Sequence, residues 1–312
     1  MLEELIELHE HHVSLCAEYR KVTSTLFPAV RPSSLDQLPF IHVSAFKGSS
    51  LVSMRPTHRT MQSSGTSGNP STIMVTSNDC LRQSKSLASI FSAHFGPRRR
   101  NIVVVDQDIA TLVRDGVTAR AAAVAGFVSL CRNPQFMIGN YGVPTLLDKP
   151  VEVGAIAFGF TTYVWEHRRY LEQLTGKQVV VLHGGGWKRL SASGVSREAF
   201  NAELLSIVPD ASVVNYYGMI EQAGVVYFDC LAGRFHEHDR GTFIARDTST
   251  LEPSHLGMGQ FFSTVPQSYP GYSLLTDDMI EIVDSCECGS PGRAFRFMGR
   301  RVASESRGCA NV

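Results

Sequence analysis

Across its 312 residues the sequence has no apolar run near the ~18 residues of a membrane-spanning helix, which excludes a helical span. It also lacks an excess of charge. Its 29 basic and 29 acidic residues cancel, which argues against a nucleic acid or an anionic membrane as the main partner and leaves room only for a local basic pocket. The start, Met1-Leu2-Glu3-Glu4-Leu5, is acidic and has neither the basic head nor the apolar core of a signal peptide. The seven cysteines are odd in number and scattered at 16, 80, 131, 230, 286, 288 and 309. This is no disulfide framework, so reduced thiols and a cytoplasmic location are expected. No GK[ST] ending is present, which rejects a Walker P-loop. No GxSxG pentapeptide is present either, so an α/β-hydrolase reading of the HGGG at 183–186 fails. Internal repeats and long low-complexity linkers are absent.

What remains is ordinary globular composition, 43% hydrophobic and 19% charged, in a chain long enough for one large domain or two smaller ones. The stretch Ser63-Ser64-Gly65-Thr66-Ser67-Gly68-Asn69-Pro70-Ser71 contains no bulky apolar side chain and offers hydroxyls and backbone N–H groups, as a phosphate cradle would. An ordinary surface loop would read the same way in isolation. Before it, residues 1–26 have helical spacing, Arg31-Pro32-Ser33-Ser34 breaks the helix, and Leu38–Val43 reads as extended. After it come a strand at Thr72–Thr76, a helix capped by Asn78 and Asp79 and running to about His94, and a buried strand at Ile102–Asp106. An Ala-rich helix within 111–131, a strand within Val153–Phe160 and a helix around Tyr163–Leu174 follow. Gln178–Leu182 is a strand running into His183-Gly184-Gly185-Gly186-Trp187-Lys188. Ser196 caps a helix over 196–207, and Ser212–Tyr216 is a strand running into Tyr217-Gly218-Met219-Ile220-Glu221. This alternation predicts a βα architecture. Beyond 224 the texture changes to short strands: Val225–Phe228, Thr242–Ala245, Gly259–Thr264, Ser273–Leu275 and Met279–Val283.

Other polar clusters have plainer readings. His9, His11 and His12 cannot all share one helix face, so a solvated face is expected rather than a metal site. Arg98-Arg99-Arg100 reads as a solvated turn. Cys286-x-Cys288 supplies two sulfurs where structural zinc wants four ligands; Cys230, His236 and His238 could complete a set, but the spacing does not require it, and a plain thiol pair is the expectation.

Taken in order, the 63–71 loop, HGGGW, YYGMIEQAG, Leu274-Leu275-Thr276-Asp277-Asp278 and Gly299-Arg300 resemble the motifs of the adenylate-forming superfamily. That superfamily includes acyl-CoA synthetases, firefly luciferase and nonribosomal peptide adenylation domains. The wording HGGGWK, YGMxEQ, the CxCG at Cys286–Gly289 and the ending GR…SESRGC is similar to its LuxE-type acyl-protein synthetase branch. The resemblance implies an α/β fold: a large N-terminal domain of βα-type sheets over 1–298, with a β-rich subdomain at about 225–298. A truncated hinge and cysteine-bearing tail would follow at 299–312, without the superfamily's C-terminal lid domain. It implies ATP-dependent activation of a carboxylic, chiefly fatty, acid to acyl-AMP with release of pyrophosphate, then transfer to an enzyme thiol for hand-over to a partner such as an acyl reductase or acyltransferase.

By resemblance, Ser64, Gly65, Thr66, Ser67 and Gly68 hold the departing phosphates, while Gly184, Gly185 and Gly186 let the backbone approach adenine. Tyr217, with Gly218 beside it, stacks on adenine; Glu221 holds Mg2+; Asp278 accepts from the ribose; and Arg300 contacts the nucleotide. Four departures stand out. Ser71 replaces the loop lysine, Ile220 a threonine and Asp277 a glycine, and the lid's catalytic lysine is missing. Lys188 or Arg300 with Arg301 would then supply positive charge, and Cys309, with Arg307 nearby favouring its thiolate, would accept the acyl group. A ligase handing its adenylate to coenzyme A or a carrier protein, and a nucleotide-binding scaffold with impaired chemistry, are the competing readings.

Overall fold

The computed structural model describes residues 1–48, 51–63, 70–114, 117–139, 142–185, 190 and 193–301. Two N-terminal helices, α1 (Leu2–Leu15) and α2 (Ala17–Leu26), lead through β1 (Ile41–His42), β2 (Arg59–Gln62) and β3 (Thr72–Val75) to α3 (Ser77–Phe95). There follow β4 (Asn101–Val104), α4 (Ile109–Leu112), α5 (Ala119–Leu130), β5 (Arg132–Phe136), β6 (Ile156–Phe160) and α6 (Thr161–Glu166). Then come β7 (Val180–Gly184), α7 (Arg197–Ile207), β8 (Ser212–Gly218) and β9 (Val226–Phe228). The rest is strand: β10 (Phe235–His236), β11 (Gly241–Arg246), β12 (Pro253–Ser254), β13 (Leu256–Ser263), β14 (Ser273–Val283) and β15 (Ala294–Arg300).

One sheet has the order β5-β4-β6-β7-β8-β9, parallel except for the antiparallel edge strand β9. Because side chains alternate across a strand, its residues divide between two cores. Val103, Ala157 and Val181 pack with Phe200 and Leu204 of α7. Ile102, Val104, Ile156, Phe158 and Leu182 pack with Phe91 and Phe95 of α3 and with Val124 and Phe127 of α5. Helices therefore cover both faces, which is why these strands read as continuous apolar runs. Each fully buried phenylalanine contributes about 1.5–3 kcal/mol.

The second sheet runs β10-β15-β14-β13-β11-β12, with β1 added in parallel to β14. Its other ladders are antiparallel. Its buried face carries Phe235, Phe243, Phe261, Ile280 and Phe295, which pack with Val225 and Tyr227 from the strand side of the first sheet. A fourth core joins the N-terminal helices to β13 and β14 through Tyr19, Phe262, Tyr272 and Leu274.

Several local expectations change. The first helix is broken at Cys16, whose backbone is extended. Thr76, not Asn78 or Asp79, caps α3: its hydroxyl accepts from the Asp79 N–H at 3.2 Å. Asp79 is instead turned inward, where its carboxylate accepts from the Ser268 N–H at 2.7 Å and the Gln267 N–H at 3.0 Å. The Ala-rich segment divides into α4 and α5, and a 3-10 turn at Arg168–Leu174 continues α6. The Ser196 cap is present, accepting from the Ala199 N–H at 3.2 Å. The histidine cluster is not a solvated face. His12 is fully buried, bonded to Ser53 Oγ at 2.8 Å and stacked 5.8 Å from Tyr272, and burial lowers its pKa to about 3. The arginine run is more than a solvated turn, because Arg99 donates to the Ser129 carbonyl at 2.8 Å and Arg100 to the Phe95 carbonyl at 3.0 Å, closing the ends of α5 and α3.

Ser273–Leu275 and Met279–Val283 are one continuous strand, with Thr276-Asp277-Asp278 in its middle rather than in a turn. Between the paired rungs Leu275↔Gln260 and Met279↔Met258, these three residues of β14 face the single residue Gly259 of β13. A bulge of this kind re-aims side chains that a regular strand would alternate.

Candidate functional site

The parallel strands end side by side at Gly184 of β7 and Gly218 of β8, and the bulge of β14 lies across from them. The switch from strand to loop at such carboxyl ends is where α/β sheets hold ligands. Tyr217, near the end of β8, spans the gap between the two sheets. Its ring stacks on Phe261 at 4.9 Å and meets the edge of Phe295 at 5.4 Å, and its hydroxyl donates to Asp278 Oδ2 at 2.7 Å. Burial and then the Asp278 charge push the Tyr217 phenol well above its ordinary pKa, so it stays a donor.

Asp278 is oriented by the bulge. The Thr276 hydroxyl donates to the Gly259 carbonyl at 2.9 Å and accepts from the Asp278 N–H at 3.2 Å. Across the β14–β15 ladder Asp278 pairs with Arg300, whose Nε lies 3.5 Å from Asp278 Oδ1. Asp277, on the other side of the strand, sits 3.6 Å from His42 Nε2 and 3.5 Å from Arg301.

Glu221 lies on a 3-10 turn, Ile220–Gln222, pinned to the antiparallel sheet because Gln222 Nε2 donates to the Phe261 and Gly271 carbonyls at 2.9 Å each. Gly271 is required here: a Cβ would come within 2.4 Å of the Glu221 carbonyl. The Glu221 carboxyl is only 7% exposed, and burial raises its pKa against the opposing effects of a hydrogen bond from Ser71 and the nearby charges of Arg300 and Lys47. Ser71 closes the base of the Ser/Gly loop, donating its N–H to Ser63 Oγ at 2.8 Å while Ser63 N–H donates to the Ser71 carbonyl at 3.0 Å. A buried carboxylate is a hard oxygen donor suited to a divalent cation such as Mg2+.

The predicted residues therefore fall into three groups. Tyr217, Glu221, Asp278 and Arg300 converge. Gly184 and Gly185 line the adjoining edge, and Gly184 has a packing reason to be glycine, since a Cβ would lie 2.5 Å from the Tyr216 ring. Gly185 has φ +65°, the left-handed region. Gly218 is exposed beside Tyr217 at the end of β8. Ser64–Gly68, Gly186, Lys188 and Cys309 lie outside the described residues. Sequence reasoning missed Lys47 and His42, which reach the site through β1 and the turn after it. It also missed Asp106, fully buried at the end of β4, where Arg120 Nε donates to it at 2.7 Å and the Arg120 guanidinium lies 4.0 Å over the Tyr163 ring. Asp106 was visible only as the polar residue ending an apolar strand.

A parallel sheet with cores on both faces and an antiparallel second sheet packed against its end make the fold of an adenylate-forming ligase domain. Among solved structures, the chain is similar to 2-hydroxyisobutyryl-CoA ligase in an open conformation with 2-HIB-AMP and CoA. The TM-score is 0.71 at 14% identity, over 96% of this chain and 74% of that one. The same ligase in its postadenylation state with 2-HIB-AMP gives a TM-score of 0.72 at 14% identity, over 96% and 66%. An ATP-bound RpMatB-BxBclM chimera gives 0.51 at 15%, over 77% and 47%. No curated protein matches. The family profile described as "Acyl-protein synthetase, LuxE" matches residues 2–312, and the chain belongs to that family. It is accordingly an AMP-forming acid–thiol ligase by class, one that uses ATP to activate an acyl group.

Proposed function

We propose that this protein adenylates a fatty acid at the Tyr217–Asp278–Arg300–Glu221 site and transfers the acyl group to Cys309 as a thioester. The observation that carries the reading is the Tyr217–Asp278–Arg300 chain at the strand ends, with the buried Glu221 on the turn that follows β8. One end of a nucleotide would lie against each.

In the first step a carboxylate oxygen attacks the α-phosphorus of ATP, and the bond to the bridging oxygen breaks to release pyrophosphate. Ser64–Gly68 would donate to the β- and γ-phosphates, and Gly184–Gly186 would admit the adenine beside Tyr217. Asp278, already fixed by the Tyr217 hydroxyl and Arg300, would accept from the ribose hydroxyls. Glu221 would hold Mg2+, which when bound neutralises phosphate charge. Arg300, with Lys188 or Lys47, would offset the charge that accumulates as the phosphate bond breaks. In the second step the Cys309 thiolate attacks the acyl carbonyl and AMP leaves, giving a thioester available to an acyl reductase partner. The 299–312 segment would act as hinge and tail to the 1–298 body, and the strands from β10 onward would form the β-rich subdomain.

The test is incubation with ATP, Mg2+ and a panel of labelled carboxylic acids, followed by hydroxylamine. The expected outcome is ATP-dependent labelling that hydroxylamine removes and that C309A abolishes while retaining acid-driven pyrophosphate exchange. Labelling that survives C309A overturns the acceptor assignment, and absence of exchange with every acid overturns the adenylation reading.

A further inference from the structure

Cys230, His236, Cys286 and Cys288 converge although they come from separate parts of the chain. Their ligand atoms, three Sγ and one imidazole nitrogen, all lie within 4.8 Å of one another. Cys230 Sγ is 3.7 Å from Cys286 Sγ, and Cys288 Sγ is 3.3 Å from His236 Nε2. A tetrahedral zinc with bonds of about 2.3 Å to sulfur and about 2.0 Å to nitrogen sets its sulfurs about 3.7 Å apart and a sulfur–nitrogen pair about 3.5 Å apart. We propose that these four residues form a structural zinc site that staples the two larger sheets of the described residues together.

The local structure supports a built site. Cys230 lies two residues beyond β9, the edge of the first sheet. His236 is in β10 of the second sheet, and Cys286 and Cys288 sit in the turn joining β14 to β15. The Cys230 turn is closed by the Gly233 N–H donating to the Cys230 carbonyl at 2.7 Å, and Gly233 adopts φ +71°. Arg197, at the start of α7, donates to the Gly233 carbonyl at 3.3 Å and pairs with Asp229, so the turn is tied to the helix layer. On the other side, the Gly289 N–H donates to the Cys286 carbonyl at 3.1 Å and the Ser290 N–H to Cys288 Sγ at 3.5 Å. Such N–H···S bonds hold a thiolate ligand in position. The cysteines are free rather than paired in disulfides. The second ring nitrogen of His236, Nδ1, is buried without a partner among the described residues, so a metal at Nε2 would be what fixes the ring. Three thiolates, one neutral imidazole and a closed tetrahedron describe a structural site, with no open position for substrate. Binding would release the three thiol protons to solvent. The site needs none of the nucleotide-site residues, so it stands independently of the proposed reaction.

The experiment uses the full chain, stripped of metal under reducing conditions and titrated with Co2+ alone. The expected result is saturation at one equivalent, with the intense visible bands of tetrahedral cobalt–thiolate coordination, bleached when Zn2+ is added. C288S, at an exposed position, and C286S should lose these bands, and C80S should keep them. Metal removal should lower the Tm of the wild-type chain and leave that of C288S unchanged. A wild-type protein that develops no visible band at one equivalent of Co2+ overturns the proposal whether or not the variants fold. So does a band that persists in both C286S and C288S.

Discussion

At the scale of single residues, each site side chain acts through a partner that holds it. Asp278 is held by Tyr217 at 2.7 Å and by Arg300 at 3.5 Å, so its carboxylate is already directed in the ligand-free chain. Losing a charged hydrogen bond to a ribose costs about 1.5–3 kcal/mol. D278N is therefore expected to weaken ATP binding by ~10–100-fold in equilibrium dialysis, whereas wild-type affinity in D278N would remove Asp278 from the site. Glu221 makes a different prediction. E221Q keeps the shape but removes the anionic oxygen, so pyrophosphate exchange should need more Mg2+ while Mg2+-free ATP binding is little changed. An unshifted Mg2+ dependence would exclude Glu221 as the ligand. His12 and Asp79 show the converse lesson: polar residues that look surface-bound are buried because each has a specific partner, Ser53 for one and the Ser268 backbone for the other.

At the scale of elements, strand pairing decides which glycines are indispensable. Gly184 sits where β7 meets β8, and any Cβ would strike the Tyr216 ring and carbonyl at 2.5 Å. Gly194, by contrast, has a positive φ, +79°, and nothing lies within 4 Å of its Cβ position. G184A should therefore lower the urea midpoint by the equivalent of about 1–3 kcal/mol through steric displacement of β8. G194A should lower it by about 1 kcal/mol through backbone strain alone. Equal effects would mean that the strand contact relaxes freely. The β14 bulge belongs to this scale too, because three residues against Gly259 let Asp277 and Asp278 serve different partners, His42 with Arg301 and Tyr217 with Arg300.

For the whole molecule, burial couples folding to pH. His12 and His183 are both essentially inaccessible, and burial lowers both pKa values to about 3 from an ordinary 6.5. Below pH 6.5 the unfolded chain takes up these protons and the folded chain does not, so stability is complete above that pH and falls progressively until about pH 3. At pH 5 each histidine costs on the order of 1–2 kcal/mol. Urea midpoints should drop between pH 7 and pH 5, and H12N should flatten the drop. A wild-type midpoint constant across that range would contradict the burial of these rings in neutral form.

Much of this protein was legible before any coordinates. Apolar periodicity exposed β4, β6, β7 and β8, the Ser196 cap marked α7, and the ordered motifs named the superfamily and its LuxE-type branch. These are local signals, written within a few residues of one another. What required the fold was everything joined across long sequence separations. Lys47 and His42 reach the site only because β1 adds to β14 more than two hundred residues later, and His12 is buried only because Tyr272 packs against it. Cys286-x-Cys288 looked like two thiols short of a metal site until the β9–β10 turn brought Cys230 and His236 beside it. Composition and spacing determined which chemistry the chain carries; the packing of its two larger sheets decided which of those groups meet, because side chains distant in sequence become neighbours only through tertiary contact.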